Sequence, residues 1–142
     1  MSPVFTVHPV SWHDGEPLLR TVRESVFIRE QQVPEELEWD GLDAVCRHIL
    51  ALSPKGEAIG CGRLTPQAQI GRMSVLPEWR RLKVGTAMME ALLADARGRH
   101  LPGVLVHAQV HAVPFYRRFD FTEHGETFMD AGIPHIEMRL RF

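Results

Sequence analysis

Ile70–His100, IGRMSVLPEWRRLKVGTAMMEALLADARGRH, decides how the rest of the chain is read. Ile70 to Leu76 is a strand candidate, apolar at Ile70, Met73, Val75 and Leu76. Pro77 cannot donate to a sheet ladder, so the strand ends there. Val84, Ala87, Met88, Ala91 and Leu92 recur at helical spacing and predict an amphipathic helix over 84–97. Gly98 and Pro102 stop it. Between strand and helix lies Arg80-Arg81-Leu82-Lys83-Val84-Gly85-Thr86. The first turn of a helix has backbone N–H groups without an intrahelical partner and the positive end of a dipole. Phosphates bind at such a place. Gly85 lets a ligand approach the backbone closely, and Arg80, Arg81 and Lys83 add positive charge. The same residues also suit a solvated basic turn before an ordinary surface helix.

Outward from this stretch, the chain alternates strand and helix signals. Val4 to Val10 is a first strand, Trp12 to Glu16 a turn, and Pro17 to Gln31 a helix with Pro17 at its first position. Glu35 to Gly41 is an acidic loop or short helix. Val45 to Leu52 and Ala58 to Leu64 form a hairpin about Ser53-Pro54-Lys55-Gly56. Gly103 to His107 is a continuously apolar strand, covered on both faces. His111 to Phe119 is a second short helix, and Phe121 to Thr127 and His135 to Phe142 are closing strands. The order predicts an α/β or α+β fold, with helices on both faces of one central sheet.

Bulk properties narrow the function. The 142 residues amount to one domain, 1–142, with no linker or repeat. Apolar residues make up 44% and charged residues 24%, enough for one buried core. A net charge of -2 gives no global attraction for nucleic acid or an anionic membrane, so any phosphate site is local. No apolar run is long enough to span a bilayer, and Met1-Ser2-Pro3-Val4 does not open a signal peptide. Cys46 and Cys61 are isolated and read as buried thiols in a reducing compartment. A cytoplasmic protein is expected. His107 and His111 have i, i+4 spacing but fall on a strand end and a helix start, so no metal site is expected.

Two segments carry a family resemblance. Arg80-x-x-Lys83-x-Gly85-x-Ala87 resembles the Arg/Gln-x-x-Gly-x-Gly/Ala signature of the GNAT superfamily of N-acetyltransferases. Gln109-x-x-Ala112-x-x-Phe115-Tyr116-x-x-x-Asp120-Phe121 is similar to that family's later motif. Lys83, Gln109 and Asp120 stand where the family carries Gly, Asn and Gly. Val26 to Pro34 and Asp130-Ala131-Gly132-Ile133-Pro134-His135-Ile136-Glu137-Met138 resemble the small bacterial YjcF/ElaA-like branch. The resemblance implies a mixed, mostly antiparallel sheet with a splayed strand pair that admits acetyl-CoA. It implies that the coenzyme is held by Met73, Ser74 and Val75 on the strand, by Arg80, Arg81, Leu82, Lys83, Val84, Gly85 and Thr86 in the turn, and by Gln109 and Phe115.

The implied activity is direct acetyl transfer to a primary amine of a small molecule or protein. Tyr116, the only tyrosine, would be general acid to the departing thiolate. The amide near Val75 would stabilise the carbonyl oxygen. No cysteine has a neighbour to activate a ping-pong thiolate. Candidate bases are Glu30, Glu36, Asp40, His48, His107 and His111. Glu30, Glu36 and His48 are the candidate acceptor-binding residues, and an acidic Glu35–Asp43 segment could attract a cationic amine. The tail, an exposed apolar strand, suggests a homodimer. Lys83 and Asp120 leave a rival open, a sensor that binds an acyl-CoA without turnover. A nucleotide binder is disfavoured, because the turn has one glycine and no Gly-x-x-x-x-Gly-Lys-Ser/Thr loop.

Overall fold

The computed structural model describes residues 4–142; Met1–Pro3, read above as free of a targeting signal, lie outside the described residues. β1 (Thr6–Val10) leads straight into α1 (Trp12–Arg23). Ser11 makes this possible: its Oγ accepts the Asp14 N–H at 3.0 Å, capping the helix. Trp12 to Glu16 is therefore helix, not the expected turn. Pro17 lies inside α1 rather than at its start. The chain then widens into a π-helical stretch, Glu24–Glu30, which closes with the Gln31 N–H donating to Val26 O at 3.0 Å. α2 (Glu35–Glu38) is one short turn.

β2 (Arg47–Leu52) and β3 (Ala58–Leu64) pair as the expected hairpin. Val45, expected in β2, belongs to a preceding 3₁₀ turn. β4 (Gln69–Val75) is followed by α3 (Val84–Gly98), β5 (Gly103–Gln109), α4 (Val113–Arg117), β6 (Thr122–Asp130) and β7 (Ile133–Arg141). The strands form one sheet in the order β1-β2-β3-β4-β5-β7-β6. Every neighbouring pair is antiparallel except β4–β5. The tail strand is not an edge: β7 pairs with β5 on one side and β6 on the other, so the free edge there is β6.

Side-chain alternation sorts two cores. Ile49 and Ala51 of β2 face α3, where Met88, Met89 and Leu92 are fully buried. Each such side chain contributes roughly 1.5–3 kcal/mol by leaving water. Leu50 and Cys61 face α1, against Leu19, Val22 and Val26. α3 sits close on β3 because Gly60 and Gly62 lie beneath it: a Cβ at Gly60 would meet Met88 at 3.2 Å, and one at Gly62 would meet Leu92 at 3.1 Å.

The feature that positions the site is a break in the sheet. β4 and β5 share only the pairs Gln69↔Leu105 and Ile70↔Val106. On the other side of β4, Arg63 pairs with Gly71 but Cys61 pairs with Ser74, so Arg72 and Met73 together oppose Gly62. Arg72 takes a left-handed φ of 52° at this bulge. A bulge bends its strand, and beyond Ile70 β4 and β5 part.

Candidate active site

The parted strands open a cleft of about 760 Å³, lined by β4 from Gln69 to Val75, by Phe27, Glu30 and Gln31, and by Gly85, Gln109, Phe115 and Tyr116. The free edge of β4 is one wall. Leu76 N–H donates to Ile59 O on β3 at 2.9 Å. Alternation along an antiparallel strand then turns the Val75 N–H and C=O away from β3, toward the side that β5 has left. Val75 O accepts Arg80 Nε at 2.9 Å, as that geometry requires.

The turn before α3 leaves backbone amides without partners. Ala87 N–H is the first to bond back, to Lys83 O at 3.0 Å. The Val84, Gly85 and Thr86 amides precede it, in the unpaired first turn. Val84's side chain is fully buried, so only its backbone is available. Arg81 and Lys83 are exposed and both left-handed, at φ 64° and 68°; Leu82 and Thr86 are half-buried. Lys83 and Asp120 (φ 70°) occupy the conformation that glycine takes most easily, which explains why glycine is usual at both positions. Unpaired amides of this kind have the chemistry to take an anion, and of residues 80–86 Arg80 and Gly85 line the cleft.

Tyr116 projects from α4, edge-on to Phe115 (5.2 Å, 87°) and Phe121 (5.9 Å, 74°). Among the described residues nothing bonds its hydroxyl, and burial pushes its pKa up to about 12. It is a neutral O–H donor at any physiological pH.

A family profile described as "Acetyltransferase (GNAT) domain" matches residues 19–142. The chain belongs to the GNAT acetyltransferase family. It is 38% identical over 121 residues to "Uncharacterized N-acetyltransferase YjcF" of Bacillus subtilis (strain 168), covering 82% of this chain and 86% of that one. The crystal structure of Escherichia coli ElaA superposes with a TM-score of 0.84 at 29% identity, over 94% of this chain and 98% of ElaA. An acyl-CoA N-acyltransferase from Pseudomonas aeruginosa superposes with a TM-score of 0.85 at 29% identity, over 96% and 99%. These place the chain in the YjcF/ElaA-like branch of GNAT enzymes, which use acetyl-CoA.

Several candidate residues lie elsewhere or are already engaged. Glu30 does line the GNAT cleft, but both its oxygens are held by Arg80, at 2.8 and 2.6 Å, and that pairing lowers its pKa. Arg80 is thus committed to Glu30 and Val75 O. Glu36 is exposed on α2 and does not line the cleft. His48 is buried beside Trp12, with Nε2 2.8 Å from Asp43 O, away from the cleft. Ser74 Oγ lies 3.3 Å from Cys61 Sγ. Burial pushes the Cys61 thiol up to about 11, so it has no nucleophilic thiolate. Gln109 donates to Gln31 Oε1 at 2.9 Å, joining the end of β5 to the end of the π-helical stretch. No metal-holding cluster occurs among the described residues.

The acidic segment forms the expected short helix, and Leu37 and Glu38 line the cleft, but its buried carboxylates are engaged by arginines of the fold. Glu38 and Asp43 are buried and Asp40 partly so, paired with Arg23, Arg63 and Arg72. Arg23 donates to Glu38 at 2.6 Å and to Asp43 at 2.6 Å, under the ring of Trp39 at 4.7 Å. Arg72 and Glu38 carry this network to the cleft floor. One signal for it was present in the sequence: Arg63 is a lone charge inside an otherwise uncharged strand.

Proposed function

We propose that this enzyme transfers the acetyl group of acetyl-CoA directly to a primary amine. The diphosphate would rest on the Val84–Thr86 amides, and the pantetheine arm would add to the free edge of β4 along Met73 to Val75. The Val75 N–H would donate to the thioester oxygen as it gains charge. The amine nitrogen attacks the carbonyl carbon and gives up its extra proton to solvent, the C–S bond breaks, and the sulfur receives a hydrogen bond and then a proton from Tyr116, which regains one from solvent. A free thiol ionises near ~8.5, well below Tyr116. The burial that raises Tyr116 raises the proton affinity of a thiolate beside it as well, so the two shifts offset each other.

One observation carries this reading: an unpartnered tyrosine hydroxyl opens into the same cleft as the unpaired edge of β4. The left-handed backbone at Lys83 and Asp120 supports reading them as tolerated replacements for glycine rather than as marks of a non-catalytic sensor. The test follows free-thiol release from acetyl-CoA with spermidine, glucosamine and a lysine peptide as acceptors. Wild type releases thiol in an amine-dependent way, and Tyr116→Phe lowers kcat by about 10²–10⁴-fold with acetyl-CoA affinity unchanged. Coenzyme binding without turnover on any amine supports the sensor, and an unimpaired Tyr116→Phe removes the acid.

A further inference from the structure

The β6–β7 hairpin carries a histidine whose ring is fixed in one protonation geometry. The strands turn at Ala131 and Gly132, at φ 51° and 75°, and Ile133 pairs back to Asp130. His135 then lies between Phe128 on β6 and Gln109 on β5. Its ring stacks on Phe128, 5.9 Å between centroids and 23° between planes. It is only 9% exposed, yet it lines the same cleft as Tyr116. Nδ1 sits 2.7 Å from Ile133 O. A carbonyl oxygen only accepts, so Nδ1 carries the hydrogen, and in the neutral ring Nε2 holds a lone pair. Among the described residues Nε2 has no hydrogen-bond partner.

We propose that His135 is the general base of the reaction, its Nε2 taking the proton from the acceptor's ammonium group; this rests on the amine-transfer reading above. The ammonium N–H breaks, its proton goes to Nε2, and the freed lone pair attacks the thioester carbon. The C–S bond electrons leave with sulfur, which takes the Tyr116 proton. The nitrogen, cationic after its attack, loses its second proton to solvent as the C–S bond breaks; Tyr116 recovers a proton from solvent and His135 returns its own, for a net release of one proton per turnover. The Nδ1–H bond to Ile133 O holds the ring and strengthens once it is charged. Most other ionisable cleft groups are bonded, while His111 and Asp130 line the cleft as exposed residues where His135 is buried. Glu30 is held by Arg80, Glu38 by Arg23, and His107 Nε2 lies 3.3 Å from Glu137. Around His135 the ionisable groups are Asp130 and His124 on β6, Glu137 on β7, His107 on β5 and His111 after it; across the cleft are the Glu30–Arg80 pair and Arg72.

The experiment compares wild type and His135→Gln in the thiol-release assay with the same three amines, from acid to alkaline pH, alongside acetyl-CoA binding. Wild-type kcat/KM for the amine falls on the acid side as a proton closes the lone pair. His135→Gln loses about 10²–10⁴-fold near neutrality. With the lysine peptide it recovers as pH rises toward the amine's own ionisation at ~10.4, because the amine then arrives deprotonated. Coenzyme affinity stays the same. A variant that keeps its activity and pH profile, or is depressed equally at every pH, overturns the base. A wild type silent with all three amines overturns the transfer reading and the base with it. Should the variant fail to fold, long-range ¹⁵N–¹H correlation on histidine-labelled wild type decides: an Nδ1–H, Nε2-unprotonated ring at neutral pH supports the proposal, and an Nε2–H ring overturns it.

Discussion

Asp40 shows how residues of the acidic segment are spent. Burial works against its ionisation, but hydrogen bonds from Arg63 and the Leu42 N–H and the charges of Arg63 and Arg72 outweigh it, holding its pKa down to about 2 from 3.8. A carboxyl held below its unfolded value stabilises the fold fully above about pH 4, and that contribution is lost as pH falls toward 2. Asp40 is exposed to solvent, so screening discounts this contribution: Asp40→Asn should cost on the order of 1 kcal/mol at pH 7 and about half that at pH 3, read by urea denaturation at both. An equal cost at the two pH values contradicts the linkage. The network around it was hard to read from sequence for a physical reason. Its partners are far apart along the chain, Arg23 with Glu38 and Arg63 with Asp40, and ion pairing has no period. A run of carboxylates looks the same whether water or guanidinium surrounds it. Removing one member of a buried pair strands the other, so these residues are structural before they are electrostatic bait for an amine.

At the scale of elements, the turn into α3 was legible because its chemistry is local. Unpaired amides, one glycine and three cations sit within one short stretch. The β2–β3 hairpin was legible through its Pro54–Gly56 turn. α1 was read late because a single N-cap, Ser11, replaces a loop. β6, read over 121–127, runs on to Asp130 past an irregularity between His124 and Phe128. Lys83 allows a test of the turn itself. A left-handed lysine costs about 1–2 kcal/mol, while glycine loses roughly 0.5–1 kcal/mol in backbone entropy. Lys83→Gly should thus change stability by no more than about 1 kcal/mol, in the stabilising direction, and should hold acetyl-CoA affinity within a few-fold, measured by thermal unfolding and calorimetry. A loss of binding beyond about tenfold, or 1.4 kcal/mol, would show that the ammonium rather than the backbone holds the phosphates.

Across the whole molecule, the sheet is one body that parts at a chosen place. Two bridges hold the ends of the opening. Arg80–Glu30 ties the turn after β4 to the π-helical stretch, and Gln109–Gln31 ties the end of β5 to the same stretch. Both bonds reach from one short segment to opposite walls of the cleft. Neither the parting of β4 from β5 nor these bridges has a signature in hydrophobic pattern, since β4 and β5 read as ordinary apolar strands. The family resemblance supplied the parting; the bulge at Arg72 supplies its structural basis. No helix among the described residues is long and apolar enough to cross a membrane. The central claim is that this opening aims a thioester at Tyr116, and a crystal structure of the acetyl-CoA complex tests it most directly. The account predicts the diphosphate on the Val84–Thr86 amides and the sulfur within hydrogen-bond reach of the Tyr116 hydroxyl; a diphosphate seated elsewhere, or a sulfur remote from that oxygen, would contradict it.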